Sequence, residues 1–291
     1  MKAWIALLAL VPAMATAQLL PPERVGRPDE TVIATSKQIA PTLQRAAKAF
    51  EAANPGQHVR IEARGSDVAM TLLYTYRADI AVIGRDGADQ ELKAYEWIYL
   101  KPPVKRAVMR GSVATPEYSP SIAVRVNAAN PLRSITMAQL ASLFRPAKSE
   151  PTWASLGVGG KLASQPVRIA VPKLDTGTGR FVRHAILADA TQVAWQRVVE
   201  PDAAVIARTV AGNLAMIGIG DASPLAGTRI VPVVQDGMPV LPQADNYPLT
   251  RNVMAYAHPG AKRSEAFLAF LTGEAGRAAI APGPYRPVAG H

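Results

Sequence analysis

Small hydroxyl residues recur where a β-like run gives way to a helix-like one: Thr35 and Ser36, then Ser66, then Thr176 with Gly177 and Thr178. A helix begins with N–H groups that no preceding turn can bond, and in an α/β sheet such starts lie at the carboxyl edge of the strands. Three of them converging on one crevice would surround an anion with hydroxyl and backbone donors. Any one turn fits ordinary helix capping by Ser or Thr equally well. It is their repetition, with basic side chains beside two of them, that points to anion binding. Arg85 follows the apolar run 78–84 and suits either a two-pronged contact with a tetrahedral oxyanion or a pairing with Asp86 or Asp79. Lys37 is read as facing solvent, and Pro41 suits a helix start one turn after Ser36.

Other chemistries find little support. Gly177 and Gly179 lack the third glycine of a dinucleotide fingerprint and the Lys-Ser/Thr ending of a phosphate loop, so a nucleotide cofactor is not expected. His58, His184, His258 and His291 have no metal-ligand spacing, and no Gly-x-Ser-x-Gly elbow marks a nucleophile. With no Cys, disulfides, thiolate metal sites and a lipid-modified cleavage-site Cys are excluded. The formal charge of +10 is scattered, with no basic run and no interleaved aromatics to stack bases, so it is read as a field for small anions rather than for nucleic acid.

The elements that must hold these turns alternate. Thr31 to Ala34 is β-branched; Ile39, Leu43, Ala46, Ala47 and Phe50 then recur at helical spacing until Asn54-Pro55-Gly56. Val59 to Ala63 is the next strand, Val68, Leu72 and Leu73 form one helix face, and Ala78 to Gly84 is a buried strand. Ser121 to Val126 leads through Asn130-Pro131 to a helix opened by the capping-box pair Thr136 and Gln139. Strands at 167–171, 214–219, 229–234 and 252–257, helices after Gly179 and around 205–210, and a closing helix with Phe267, Phe270 and Leu271 complete the pattern. Such alternation predicts mostly parallel sheets flanked by helices, and 291 residues suffice for two domains.

In this order the motifs resemble the phosphate-binding periplasmic solute-binding family over nearly the whole chain. Thr35 to Gly56 is similar to the family's opening Ser/Thr loop, helix and stop; Gly65-Ser66 to its GlySerGly loop; Ala78-Asp79-Ile80 with Arg85 to its AlaAspIle…SerArg strand end. Ile122 to Phe144 has the family's strand, AsnPro turn and Leu-rich helix. Thr176-Gly177-Thr178 stands where the family has SerGlyThr, Gly212 to Ile219 matches a family strand, and Tyr247 to Arg251 resembles its TyrPro…Arg motif. The resemblance implies a type II binding-protein fold, one lobe from residues 18–125 with 230–291 and the other from 126–229, crossing near Val126 and Arg229. It also implies a monomer that closes over phosphate or a related oxyanion and is recognised by an ABC permease in the inner membrane. Three departures stand out: Asp67 replaces a glycine, Gly84 a serine, and Pro172 an arginine, for which Lys173 is the substitute. The carboxylate that would accept a ligand proton could be Asp67, Asp86 or Asp175.

The amino end reads as a secretion signal: Met1 and Lys2, an apolar stretch from Ala3 to Pro12, and a small-residue cleavage pattern at Ala15-Thr16-Ala17. That predicts signal residues 1–17 and a periplasmic mature protein. Two other functions share the fold: an envelope sensor or interaction protein without transport, and a hydrolase, for which nucleophile and base are missing.

Overall fold

The computed structural model describes residues 22–112, 115, 118–173, 176–188, 193–194, 198–199 and 203–288. The expected signal segment, Asp175 and His291 lie outside them. The first stretch holds β1 (Glu30–Thr35), α1 (Ala40–Ala53), β2 (His58–Ala63), α2 (Ser66–Tyr74), β3 (Ile80–Ile83), α3 (Asp89–Tyr99) and β4 (Val104–Arg110). The middle holds β5 (Ile122–Asn127), β6 (Ile135–Thr136), α4 (Met137–Phe144), β7 (Arg168–Ala170), α5 (Gly177–Leu187), β8 (Val198–Val199), α6 (Ala203–Ala211), β9 (Met216–Asp221), β10 (Thr228–Val231), β11 (Val233–Gln235) and β12 (Met238–Val240). The chain ends with β13 (Asn252–Ala257), α7 (Lys262–Thr272), α8 (Glu274–Ile280) and β14 (Arg286–Pro287).

Burial on both faces explains why the central strands read as unbroken apolar runs. In β1, Ile33 packs with Val82, Leu43, Phe50 and Phe267 on one side, while Val32 and Ala34 pack with Ala69, Met70, Leu73 and Tyr95 on the other. Helices α1, α7 and α8 therefore cover one face of this sheet, and α2 and α3 the other. Its strand order is β14-β4-β13-β3-β1-β2. Parallel pairing is confined to β2, β1 and β3; β13, β4 and β14 run antiparallel to their neighbours.

The second sheet, β10-β5-β9-β7-β8, has a separate core around Trp153, Phe144, Ile169 and Ile217, to which the small sheet β12-β11-β6 is attached. It too is mixed: β7 is parallel to β8 and β9, while β5 is antiparallel to β9 and β10. Mostly parallel sheets were expected; the antiparallel strands arise because the chain enters and leaves each sheet without a crossover helix. Val126 and Arg229 stand opposite each other in the β5–β10 ladder, inside this sheet. The chain leaves the first sheet at Arg110 and enters the second at Ile122; it leaves the second at Val231, passes through the small sheet and re-enters the first at Asn252. Ile122 to Val126 is extended because it is a core strand, wholly buried, not a connector.

Candidate functional site

Three carboxyl strand ends meet at one edge of the first sheet. The Thr35 hydroxyl donates to the Val82 carbonyl (2.7 Å), tying β1 to β3, and the Gly65 N–H donates to the Thr35 carbonyl (2.9 Å), bringing the start of α2 against β1. Gly65 makes that junction at φ 107°, a conformation that favours glycine. Thr35, one of the expected ligand residues, is fully buried and its hydroxyl proton is engaged in this strand-to-strand tie. Ser36 and Ser66 are half-buried, and among the described residues their hydroxyls have no partner.

Arg85 lies just beyond β3 with its side chain only 11% exposed. Its Nη atoms bond Glu91 through both carboxylate oxygens (2.7 and 2.8 Å), Asp67 Oδ1 (2.7 Å) and the Asp86 carbonyl (3.0 Å). Pairing with Glu91 first, and with Asp67, pushes the guanidinium pKa further up. The side chains of Asp79 and Asp86 are not its partners. Asp79 is held by Arg24 (2.6 Å) and the Val32 N–H, and the carboxylate of Asp86, one of the expected ligand residues, is paired with Lys105 (2.6 Å).

From the second sheet comes the start of α5. Thr176 is its cap: the hydroxyl accepts from the Gly179 N–H (3.1 Å) and donates to the Lys173 carbonyl (2.7 Å). The capping alternative thus holds for the Thr176 side chain. Lys173 is exposed and takes part through its carbonyl. Gly177 and Thr178 open the helix, and a Cβ on Gly177 would lie 4.0 Å from Arg85 Cδ, so α5 faces the Arg85 edge.

Arg251 joins the two sides. Its Nη1 donates to Thr178 Oγ1 (3.3 Å) and its Nη2 to the Gly84 carbonyl (3.4 Å), while its Nε is buried without a partner. Burial pulls its pKa below the usual arginine value, with buried Tyr285 opposing that shift. Among the described residues no carboxylate pairs with it. Ser119, in the left-handed region at φ 50°, sets its hydroxyl where a Cβ on residue 84 would go. A side chain at 84 would have to displace that hydroxyl, which stands beside the position where the resemblance led us to expect a serine.

The structure thus gathers Ser66, Arg85, Gly177 and Thr178 of the expected residues, with Ser36 one step beyond the β1 edge. Thr35, Thr176, Asp86 and Lys173 engage the framework contacts described above. Arg251, Glu91 and Ser119 were not expected. Arg251 had a signal, since it closes the Tyr247 to Arg251 motif; Glu91 and Ser119 had none. Among the described residues no group of His, Asp or Glu could hold a metal ion, and no helix is long and apolar enough to cross a membrane.

Two mixed α/β sheets with their loop edges facing across a desolvated arginine define a two-lobed binding protein of the type II periplasmic class. A family model described as a PBP superfamily domain matches residues 23–275, and the chain belongs to that superfamily, whose members bind solutes rather than catalyse reactions. Over 158 residues it is 27% identical to the phosphate-binding protein PstS of Pseudomonas aeruginosa. That alignment takes in 52% of this chain and 46% of the relative, so the chain spans about half the length of the curated relatives it matches. Among solved structures, PstS from Borrelia burgdorferi superposes with a TM-score of 0.58 at 16% identity, covering 90% of this chain and 99% of that one. The tungstate binding protein TupA from Desulfovibrio alaskensis gives 0.52 at 14%, covering 89% and 98%. At these identities the likeness is one of fold.

Proposed function

We propose that this protein captures a tetrahedral oxyanion, phosphate or a chemical relative, between two lobes outside the cytoplasm and presents it to an ABC permease in the inner membrane. The observation that carries this reading is Arg251. A guanidinium removed from water, with an unpartnered Nε and no counter-carboxylate among the described residues, is costly unless an anion completes its shell. The first turns of α2 and α5 add N–H groups that point out of the helix ends, and the hydroxyls of Ser36, Ser66 and Thr178 still have protons to donate. Closure would act at the passages on either side of the second sheet, where the backbone turns from one sheet to the other. Monomeric behaviour and a secretion signal at residues 1–17 belong to the same proposal.

The test is a thermal-shift and calorimetric panel of phosphate, arsenate, sulfate, molybdate and tungstate. A true ligand stabilises the fold by RT ln(1 + [L]/Kd), about 2.7 kcal/mol at a hundredfold excess over Kd. An unchanged melting temperature with every anion at millimolar concentration refutes the proposal.

A further inference from the structure

The Nη donors of Arg85 are already fully engaged. Its two Nη atoms have four hydrogens, and they meet four oxygens: two of Glu91, one of Asp67 and the Asp86 carbonyl. These partners differ in how firmly they are held. Glu91 sits in the first turn of α3 and also accepts from the Ala88 N–H (2.7 Å), with its side chain 17% exposed. The Asp86 oxygen is backbone. Asp67 is 93% exposed and reaches Arg85 through a single bond. An anion that is to bind these Nη atoms can therefore replace only Asp67.

The place Asp67 occupies is itself that of an anion. It is the second residue of α2, a helix start whose preceding Gly65 offers no capping side chain, next to the free Ser66 hydroxyl. A negative group there is favoured by the helix end and by Arg85 together.

We propose that Asp67 is an internal competitor: its carboxylate occupies Arg85 in the unliganded protein, and the ligand must take its place. This rests on the oxyanion reading above and adds to it that the site lowers its own affinity. Strong ligands are those that offer Arg85 and the start of α2 more than one carboxylate oxygen does.

Calorimetric titration of the purified protein and its Asp67→Asn and Asp67→Glu variants with phosphate and with sulfate, at low and physiological salt, tests this. Asp67→Asn is expected to bind both anions about three- to tenfold more tightly, a modest gain because the displaced pair is exposed and screened. The gain should be larger at low salt. Asp67→Glu keeps the charge on a longer arm and should stay within about twofold of the parent. Damage to the fold cannot produce tighter binding, and an Asp67→Asn protein that binds where the parent does not is the strongest support. If the parent binds and Asp67→Asn is unchanged or weaker for both anions, the competitor role is overturned while the oxyanion reading stands. Weaker phosphate binding with sulfate strengthened also overturns it, because Asp67 would then be accepting the ligand's proton. Where neither anion binds, the same titrations are run with arsenate, molybdate and tungstate, and binding of none of the five by parent or variant removes the oxyanion reading, and this inference with it.

Discussion

Replacing Arg251 with methionine should separate a ligand-binding arginine from a structural clamp, because the two roles change stability in opposite directions. In the unliganded protein the substitution removes two hydrogen bonds, to Thr178 Oγ1 at 3.3 Å and to the Gly84 carbonyl at 3.4 Å. Both exceed the usual range, so each is worth at most about 1 kcal/mol. It also removes a desolvated charge that no carboxylate among the described residues pairs, and exchanging buried ion pairs for apolar residues of similar volume is often neutral or stabilising by about 1–4 kcal/mol. The balance for Arg251→Met is a ligand-free stability unchanged or raised by up to about 2 kcal/mol. Anion affinity should move the other way. A charge-assisted hydrogen bond out of water is worth about 1.5–3 kcal/mol, which is about a 10- to 150-fold loss. Denaturant unfolding of the ligand-free proteins measures the first quantity, and calorimetric titration with phosphate the second. A loss of stability above about 2 kcal/mol with affinity inside twofold of the parent would refute the reasoning and make Arg251 a clamp between the sheets.

The two threonines of the α5 turn should part company. Thr176→Ala removes a cap and should cost about 1 kcal/mol of stability with affinity unchanged, whereas Thr178→Ala should weaken anion binding about tenfold or more and leave unliganded stability within about 0.5 kcal/mol; a melting curve beside a titration reads both. Burial beside Tyr95 brings the His258 pKa down to about 4, against the opposing pull of Asp79 and with a small contribution from Lys101. The unfolded chain takes up that proton near pH 6.5 and the folded one only near 4, so this contribution is intact above pH 6.5 and is lost progressively as pH falls to about 4, amounting to about 3 kcal/mol. Unfolding titrations of His258→Phe should lack that slope, and an unaltered slope would show that another group causes it. Asp79→Ala should cost about 3 kcal/mol or more, because it orphans Arg24 and the buried Val32 N–H together; a loss under about 1 kcal/mol in denaturant unfolding would show the pair to be dispensable.

How much of this was legible in the sequence depended on whether a residue's role was local. The strands at 30–35, 80–83 and 252–257 are buried almost throughout, and that composition alone marks them. The Thr136–Gln139 capping box formed as its spacing predicts, with bonds of 2.9 and 3.0 Å. Helix α3 and strand β4 gave no comparable signal. Tyr95 is the one buried residue of α3, Trp97 and Leu100 nearby are 79% and 81% exposed, and Lys105 and Arg106 break the apolar pattern of β4. The site was legible as three hydroxyl turns but not as a charge arrangement. Arg251 lies 73 residues from Thr178 and 167 from Gly84, and nothing local to an arginine says which distant backbone it will reach. Arg85 was read as a ligand contact or a partner of Asp86 or Asp79; only the fold, by bringing α2 and α3 to the end of β3, selects Glu91 and Asp67.

The two arginines differ in a way that sequence could not express and that governs what the site can recognise. Counted formally among the described residues, Arg85 with Glu91 and Asp67 is a cluster of net −1, while Arg251 has no carboxylate partner and counts +1, so the four groups sum to zero before any ligand arrives. A dianion entering that arrangement gains from Arg251 and from the helix starts of α2 and α5, but it is repelled by the carboxylates around Arg85. If Asp67 swings out to solvent, the near charge becomes +1 and Arg85 recovers a donor. Arg251 is thus positive whatever the state of its neighbours, whereas the donors of Arg85 depend on Asp67. On the proposed function, affinity then follows from the Arg251 guanidinium, which no carboxylate among the described residues pairs, and selectivity from which anion can win the exposed bond of Arg85.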